Sequence, residues 1–381
     1  MTALRTDIDP NGLLEYSVVY TDRSLNHMSQ KFQQVMRDLS ATLKQVYNAD
    51  AVAIVPGSGT YAMEAVARQL TQDKTCLVIR NGFFSFRWSQ IFDMARLPEQ
   101  EIVLKARQQD PNNPTSPFAP IPVEEAVAAI LANKPNVVFA AHTETASGMI
   151  LPDDYIRQIA AATHEVGGLM VLDCIASGCI WADMKDLGVD LLISAPQKGW
   201  SAPPCCGMVM MSEAAKTAVQ NSQSNSFAMD LKKWLEIMQA YENGGHAYHA
   251  TMPTNALEVL RDVMVESAKI GFAELKQRQQ TLGTRIREVM KERGVQSVAA
   301  DGFAAPGVVV CFTDDDDIAN TKKFIAEGVQ IAGGVPLKVD EPASYKSFRI
   351  GLFGLDKLED IDRSVALFSE ALDKVLAKQI A

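Results

Sequence analysis

What this 381-residue sequence lacks narrows it before any motif is read. No run of 18 apolar residues occurs, and the stretch around Leu169 to Trp181 is interrupted by Asp173. No membrane span is therefore expected. The first ten residues contain no apolar signal core. Cysteine is sparse: the six thiols, Cys76, Cys174, Cys179, Cys205, Cys206 and Cys311, form no CxxC pair and sit mostly in apolar surroundings. That pattern reads as buried free thiols in a reducing compartment, and no Cys/His spacing suits zinc. No metal is expected, and the protein should be cytoplasmic. Positive charge is in deficit, with 36 Lys and Arg against 46 Asp and Glu, a net −10. Such a surface repels phosphate backbones, so nucleic acid is not an expected partner. A local anion site needs only a few donors and stays open. Internal repeats and low-complexity tracts are absent too.

What is present is a core. Hydrophobic residues make up 47% and charged residues 22%, typical of a globular chain. At roughly 150 residues per domain, about two or three domains fit. Phe32, Val35, Met36, Leu39, Leu43 and Val46 recur at helical spacing over 29–47. Short apolar runs follow at 51–55, 75–79, 136–140, 169–172, 191–194 and 207–211, with helical patterns at 61–70, 123–132 and 155–166 between them. Two-sided strands alternating with helices predict a mostly parallel sheet sandwiched by helices. A helical stretch over 255–293, with breaks near Gly271 and Gly283, leads to smaller elements at 307–312, 317–327, 347–350 and 358–376. The expected division is an N-terminal segment over 1–28, a large domain over 29–269 and a smaller α+β C-terminal domain over 270–381. The Asp314 to Asp317 run reads as a solvated turn and helix start.

In such sheets ligands sit beyond the carboxyl ends of the strands, and three features fall there. Gly57-Ser58-Gly59-Thr60 lies between a strand and a helix. Backbone N–H groups, the helix dipole and two hydroxyls there favour a phosphate. The loop could hold a dinucleotide, hold a phosphate monoester, or simply start a helix. A dinucleotide wants an acid at the end of the next strand, which instead reads Ile79-Arg80-Asn81. Asp173 closes an apolar strand, where a carboxylate without a partner is costly. It is either a cap or ion-pair residue, or a carboxylate holding a proton on a ring nitrogen. Lys198, in Ser194-Ala195-Pro196-Gln197-Lys198-Gly199-Trp200, is either a snorkelling lysine or a desolvated amine able to form a Schiff base. A phosphate cradle, a ring-nitrogen carboxylate and an imine lysine are together what pyridoxal phosphate chemistry needs.

From about residue 50 onward the chain resembles the class V aminotransferases of pyridoxal-phosphate fold type I, and among them the alanine–glyoxylate and serine–pyruvate enzymes. The most specific stretch is 190–204. The resemblance implies that Lys198 is the Schiff-base lysine and that Gln197, Ser58, Gly59 and Thr60 hold the cofactor phosphate. It implies that Asp173 pairs with the ring nitrogen, that Ile175 packs on one ring face, and that Phe84 of Asn81-Gly82-Phe83-Phe84 stacks on the ring, with Phe83 and Phe86 as alternatives. Thr145 of His142-Thr143-Glu144-Thr145-Ala146-Ser147-Gly148 should bond the ring hydroxyl. Tyr248 and Thr251 of 248–253 should reach the neighbouring subunit's phosphate, which implies a homodimer. His246 and His249 read as ordinary loop residues. Arg349 of Ser347-Phe348-Arg349-Ile350-Gly351 should bind the substrate carboxylate with its two-pronged guanidinium.

The implied reaction is a ping-pong transfer of an amino group from a small alanine- or serine-like donor to a small 2-oxo acid such as glyoxylate or pyruvate. The family often carries a Gly-Pro-Gly-Pro segment near its start. Here residues 11–20 read Asn-Gly-Leu-Leu-Glu-Tyr-Ser-Val-Val-Tyr, which weakens the choice of substrate but not of cofactor. An aminophosphonate transaminase or a lyase on the same fold are alternatives. A desulfurase would need a mobile cysteine, whereas Cys311 is expected in a core strand. A nicotinamide dehydrogenase lacks the required acid, and a non-catalytic binding protein leaves the set of cofactor groups unexplained.

Overall fold

The computed structural model describes residues 5–377. A seven-stranded sheet comprises β1 (Ala51–Pro56), β2 (Thr75–Arg80), β3 (Gln100–Lys105), β4 (Val137–Ala141), β5 (Leu169–Asp173), β6 (Leu191–Ser194) and β7 (Cys206–Met211). Its order is β1-β7-β6-β5-β4-β2-β3. The neighbours from β6 through β5, β4 and β2 to β3 are parallel, and β7 runs antiparallel to both β6 and β1. This is the mostly parallel sheet the apolar runs imply, with one reversed strand. The runs show no alternation because both faces are covered: all of β4, β6 and β7 is buried.

Helices α1 (Gln30–Tyr47), α2 (Gly59–Leu70), α3 (Phe83–Ala95), α4 (Val123–Asn133), α5 (Asp153–Glu165), α6 (Glu213–Gln220) and α7 (Leu231–Glu242) pack around this sheet. In α1, Ser29 caps the first turn by accepting from the Phe32 N–H, and the predicted apolar stripe from Phe32 to Leu43 is buried. Helix α3 and strand β3 have no counterpart in the sequence reading. The α3 stretch, FFSFRWSQIFDMA, is aromatic with little helical contrast, and β3 is an only partly buried edge strand. Inside, Trp88 of α3 packs on Phe139 of β4 with ring centroids 4.3 Å apart.

Helix α8 (Thr254–Ile270) and α9 (Phe272–Glu292) meet at Gly271, as expected. No break occurs at Gly283. That glycine instead lets α9 touch the chain at Pro306, whose carbonyl oxygen would lie 2.4 Å from an added Cβ. A second, smaller sheet is built from β8 (Val308–Phe312), β9 (Ala332–Gly333) and β10 (Ser347–Gly351), in the order β8-β10-β9 and antiparallel throughout. A separate apolar cluster, including Leu282, Ile286, Val309, Phe324 and Phe348, fills the space between α9, this sheet and α10 (Ile361–Ala377). The expected helix over 317–327 is two short turns, Asp316–Ala319 and Lys322–Ala326, split at Thr321 with φ 73°. Asp315 caps the first by accepting from the Asp317 and Ile318 N–H groups, the solvated helix start anticipated. The last predicted helix is likewise divided, at Asp360. All six cysteines are buried and free. Among the described residues no helix is long and apolar enough to cross a membrane.

Candidate active site

A cavity of about 320 Å³ opens at the carboxyl ends of the central strands, where α2, the turn after β6 and the smaller sheet meet. Its wall includes Ser58, Gly59 and Thr60, then Phe84, Thr145, Asp173 and Ile175, then Gln197, Lys198 and Arg349. Ten of the site residues expected from sequence thus converge on one space. Tyr248 and Thr251 do not line it in the single chain. Both are exposed, and their hydroxyls lie 3.1 Å apart.

Ser58 is the N-cap of α2 in extended conformation, yet its side chain makes no capping bond. Its hydroxyl is therefore not used to close the first turn, and a helix start of this kind can offer it and the first-turn N–H groups to an anion. Gly59 is needed for close approach. A Cβ there would lie 2.5 Å from Ile175 Cδ1 and 3.2 Å from Ala195 Cβ, so only glycine lets α2 start against the floor of the cavity.

Asp173 ends β5, held in register between Ile193 and Ala141. One carboxylate oxygen, Oδ1, accepts from the Ile175 N–H at 2.9 Å. Burial pushes its pKa up to about 7, partly offset by that hydrogen bond and raised further by the charge of Glu144. A buried carboxylate held this way is matched to a cationic partner, which would restore its charge. Lys198 follows β6 in a turn closed by Ala202 N–H to Pro196 O at 3.0 Å and Ser201 N–H to Lys198 O at 3.1 Å. Trp200, fully buried two residues on, anchors the turn. The Lys198 amine lies 5.1 Å from the centre of the Phe353 ring. Burial lowers its pKa, and the positive charges of Arg349 and Arg87 lower it further. This favours the neutral, nucleophilic amine.

Arg349 stands on β10, between Val310 and Ala332. Its Nε donates to Gly333 O at 2.8 Å. The outer edge of the guanidinium is left for the cavity, and its carbon lies 5.5 Å from the Phe84 ring centre.

Several residues shaping the cavity were not anticipated. Glu144, fully buried, accepts from Phe84 N at 3.2 Å, Ser85 N at 2.8 Å, Ser85 Oγ at 2.7 Å and Ala146 N at 3.0 Å. It pins the start of α3, and with it Phe84, to the loop that carries Thr145. A carboxylate acceptor at a helix N-terminus is favourable; Glu144 lies in the segment that resembles the family's, but with α3 unrecognised the sequence assigns no role to it. Arg87, one turn beyond Phe84 on α3, and Phe353 also face the cavity. His142 is buried with Nδ1 2.9 Å from Ser177 Oγ, and burial lowers its pKa to about 4, so it is neutral. Cys311 lies buried within β8, and Cys205 and Cys206 are buried with their sulfurs 3.8 Å apart.

The donors present suit pyridoxal phosphate. A hydroxyl-rich helix start takes a phosphate, a buried carboxylate takes a ring N–H, and an amine of lowered pKa takes an aldehyde. The buried Thr143 Oγ1 in the same wall has no hydrogen-bond partner within the chain. A dinucleotide is poorly served, because β1 is the antiparallel edge of the sheet. Among the described residues no cluster of three or more His, Cys, Asp or Glu could hold a metal.

Comparison with known proteins points the same way. The sequence model of the family described as Aminotransferase class-V matches residues 13–363. The chain is 27% identical to the "Soluble hydrogenase, small subunit" of Synechococcus sp. over 93% of this chain and 87% of that one. It is 24% identical to the alanine–glyoxylate aminotransferase of Mus musculus, over 92% of this chain and 82% of that protein. Among solved structures, an alanine–glyoxylate aminotransferase from Nostoc sp. superposes with a TM-score of 0.77 at 22% identity, covering 92% of this chain and 89% of the other.

Proposed function

Since the chain belongs to the class-V aminotransferases, transaminases that depend on pyridoxal phosphate and share fold type I, we propose that it moves an amino group from a small alanine- or serine-like donor to a small 2-oxo acid such as glyoxylate or pyruvate. One observation carries the residue assignment. Lys198, Asp173 and the Ser58–Thr60 helix start, far apart in sequence, share one cavity of about 320 Å³.

Pyridoxal phosphate, when bound, supplies an aldehyde that takes up the amino group and a ring that accepts negative charge from the substrate α-carbon. The remaining work falls to side chains. Ser58, Gly59, Thr60 and Gln197 hold the phosphate. Phe84 and Ile175 flank the ring, and Thr145 meets its hydroxyl. Asp173 keeps a proton on the ring nitrogen: paired with that cation, the carboxylate regains the charge that burial disfavours. Arg349 binds the substrate carboxylate and so fixes which bond at the α-carbon faces Lys198. The Lys198 amine would hold the aldehyde of the bound cofactor and, once freed by the amino donor, would take the α-proton as base and return it as acid. Product release and entry of the 2-oxo acid complete a ping-pong cycle. Tyr248 and Thr251 are assigned to the phosphate of a second copy in a homodimer.

Purified protein should be yellow, and borohydride should fix the cofactor covalently to Lys198. Donor amino acids scored by loss of the visible band identify the substrate, with L-alanine and L-serine expected to bleach it. Release of ammonia and pyruvate from serine without an acceptor would make the enzyme a lyase instead.

A further inference from the structure

Among the described residues, three cations line the cavity: Lys198, Arg349 and Arg87. The first two have assigned tasks, and Arg87 has none. It sits half-buried on α3 with its guanidinium carbon 4.8 Å from the centre of the Phe84 ring. Its Nη1 donates to Thr60 Oγ1 at 3.1 Å. The two arginines are thus fastened to different elements, Arg349 to the smaller sheet through Gly333 and Arg87 to the first turn of α2.

We propose that Arg87 is a phosphate-binding residue: it neutralises the cofactor phosphate at the start of α2 and orients the Thr60 hydroxyl toward it. This rests on the cofactor reading above. A phosphate monoester carries roughly −1.5 to −2 at neutral pH, whereas a helix start offers only about +0.5. The hydroxyls of Ser58 and Thr60 and the amide of Gln197 add no net charge. Arg87 supplies the missing unit in the planar fork that suits phosphate oxygens. Its bond to Thr60 has a second effect. A hydroxyl whose oxygen already accepts keeps its single proton for donation, so Thr60 is set to donate to the anion.

The test compares pyridoxal phosphate with pyridoxal, which lacks only the phosphate. Cofactor-free wild-type, R87Q and R87K proteins are titrated with each, followed by the visible band and tryptophan fluorescence. R87Q should weaken pyridoxal phosphate by about 10- to 100-fold and pyridoxal by less than about 3-fold. R87K, keeping the charge but not the fork, should fall between wild type and R87Q, and it carries the comparison should R87Q not fold. Equal weakening of both ligands would overturn the proposal and assign Arg87 to holding the Phe84 ring. So would unchanged cofactor affinity with a raised KM for the amino donor, which would assign it to substrate. Wild-type protein that binds neither ligand would instead remove the cofactor reading itself.

Discussion

Asp173 is where the chemistry of the site and the stability of the fold are in direct opposition. Its pKa is raised to about 7 by burial. A carboxyl with a folded pKa above its unfolded value favours the folded state fully below about pH 4, and that contribution is lost as pH rises through about 7. Cofactor-free protein should therefore lose stability between pH 4 and pH 8. Asp173→Asn removes the titrating group and should stabilise the cofactor-free fold relative to wild type at pH 8 by about 1–4 kcal/mol, read as a higher melting temperature, with the difference shrinking toward pH 5. The same substitution should slow amino transfer by about 100-fold or more, since the ring nitrogen loses its proton-holding partner. A wild-type melting temperature flat over that pH range would contradict the first expectation. For Arg349→Gln, donor kcat/KM should fall by about 10- to 100-fold, the loss of a charged hydrogen-bonded pair, with the visible band retained. Titrating the band with donor separates the two effects.

Among the elements, α2 and α3 are the ones whose placement decides the cavity. Gly59→Ala forces a Cβ to within 2.5 Å of Ile175 Cδ1 and 3.2 Å of Ala195 Cβ, so the Ile175 side chain must move. Overpacking of this kind costs about 1–3 kcal/mol, and displacement of the helix start should weaken cofactor binding. Adding Ile175→Val should recover part of both, read by melting temperature and cofactor titration. The corresponding element for Phe84 is α3, tethered by Glu144. Truncation to Glu144→Ala strips the Phe84, Ser85 and Ala146 N–H groups of their buried acceptor. A loss of about 2–4 kcal/mol in urea unfolding is expected, together with weaker cofactor binding even though Glu144 is not on the cavity wall.

At the scale of the whole molecule, one chain holds a cavity without Tyr248 and Thr251. Tyr248 is 53% exposed, and Tyr16 and Val18 of the N-terminal segment are 85% and 102% exposed. In the proposed homodimer Tyr248 and Thr251, whose hydroxyls lie 3.1 Å apart, would reach the other copy's phosphate. Light scattering should give twice the chain mass. Tyr248→Phe should weaken pyridoxal phosphate several-fold and pyridoxal little, with the dimer intact. A monomer that binds the cofactor as tightly as the dimer would exclude the assignment in trans.

The local pattern of apolar residues determined by itself that a sheet covered by helices on both faces forms, though not its edge strand β3. The runs at 51–55, 169–172 and 191–194 are short and apolar on both faces, which fits strands buried on both sides. Lys198, Asp173 and Ser58–Thr60 were legible for the same reason, because each stands where a buried strand stops. The reversal of β7 was not legible, since a fully buried strand reads the same in either direction. Nor was α3, whose aromatic run has little polar contrast. The partnerships that complete the site, Glu144 with the start of α3 and Arg87 with Thr60, join residues brought together across folded elements. Their bonds depend on distances of about 3 Å, and only packing in three dimensions sets such distances.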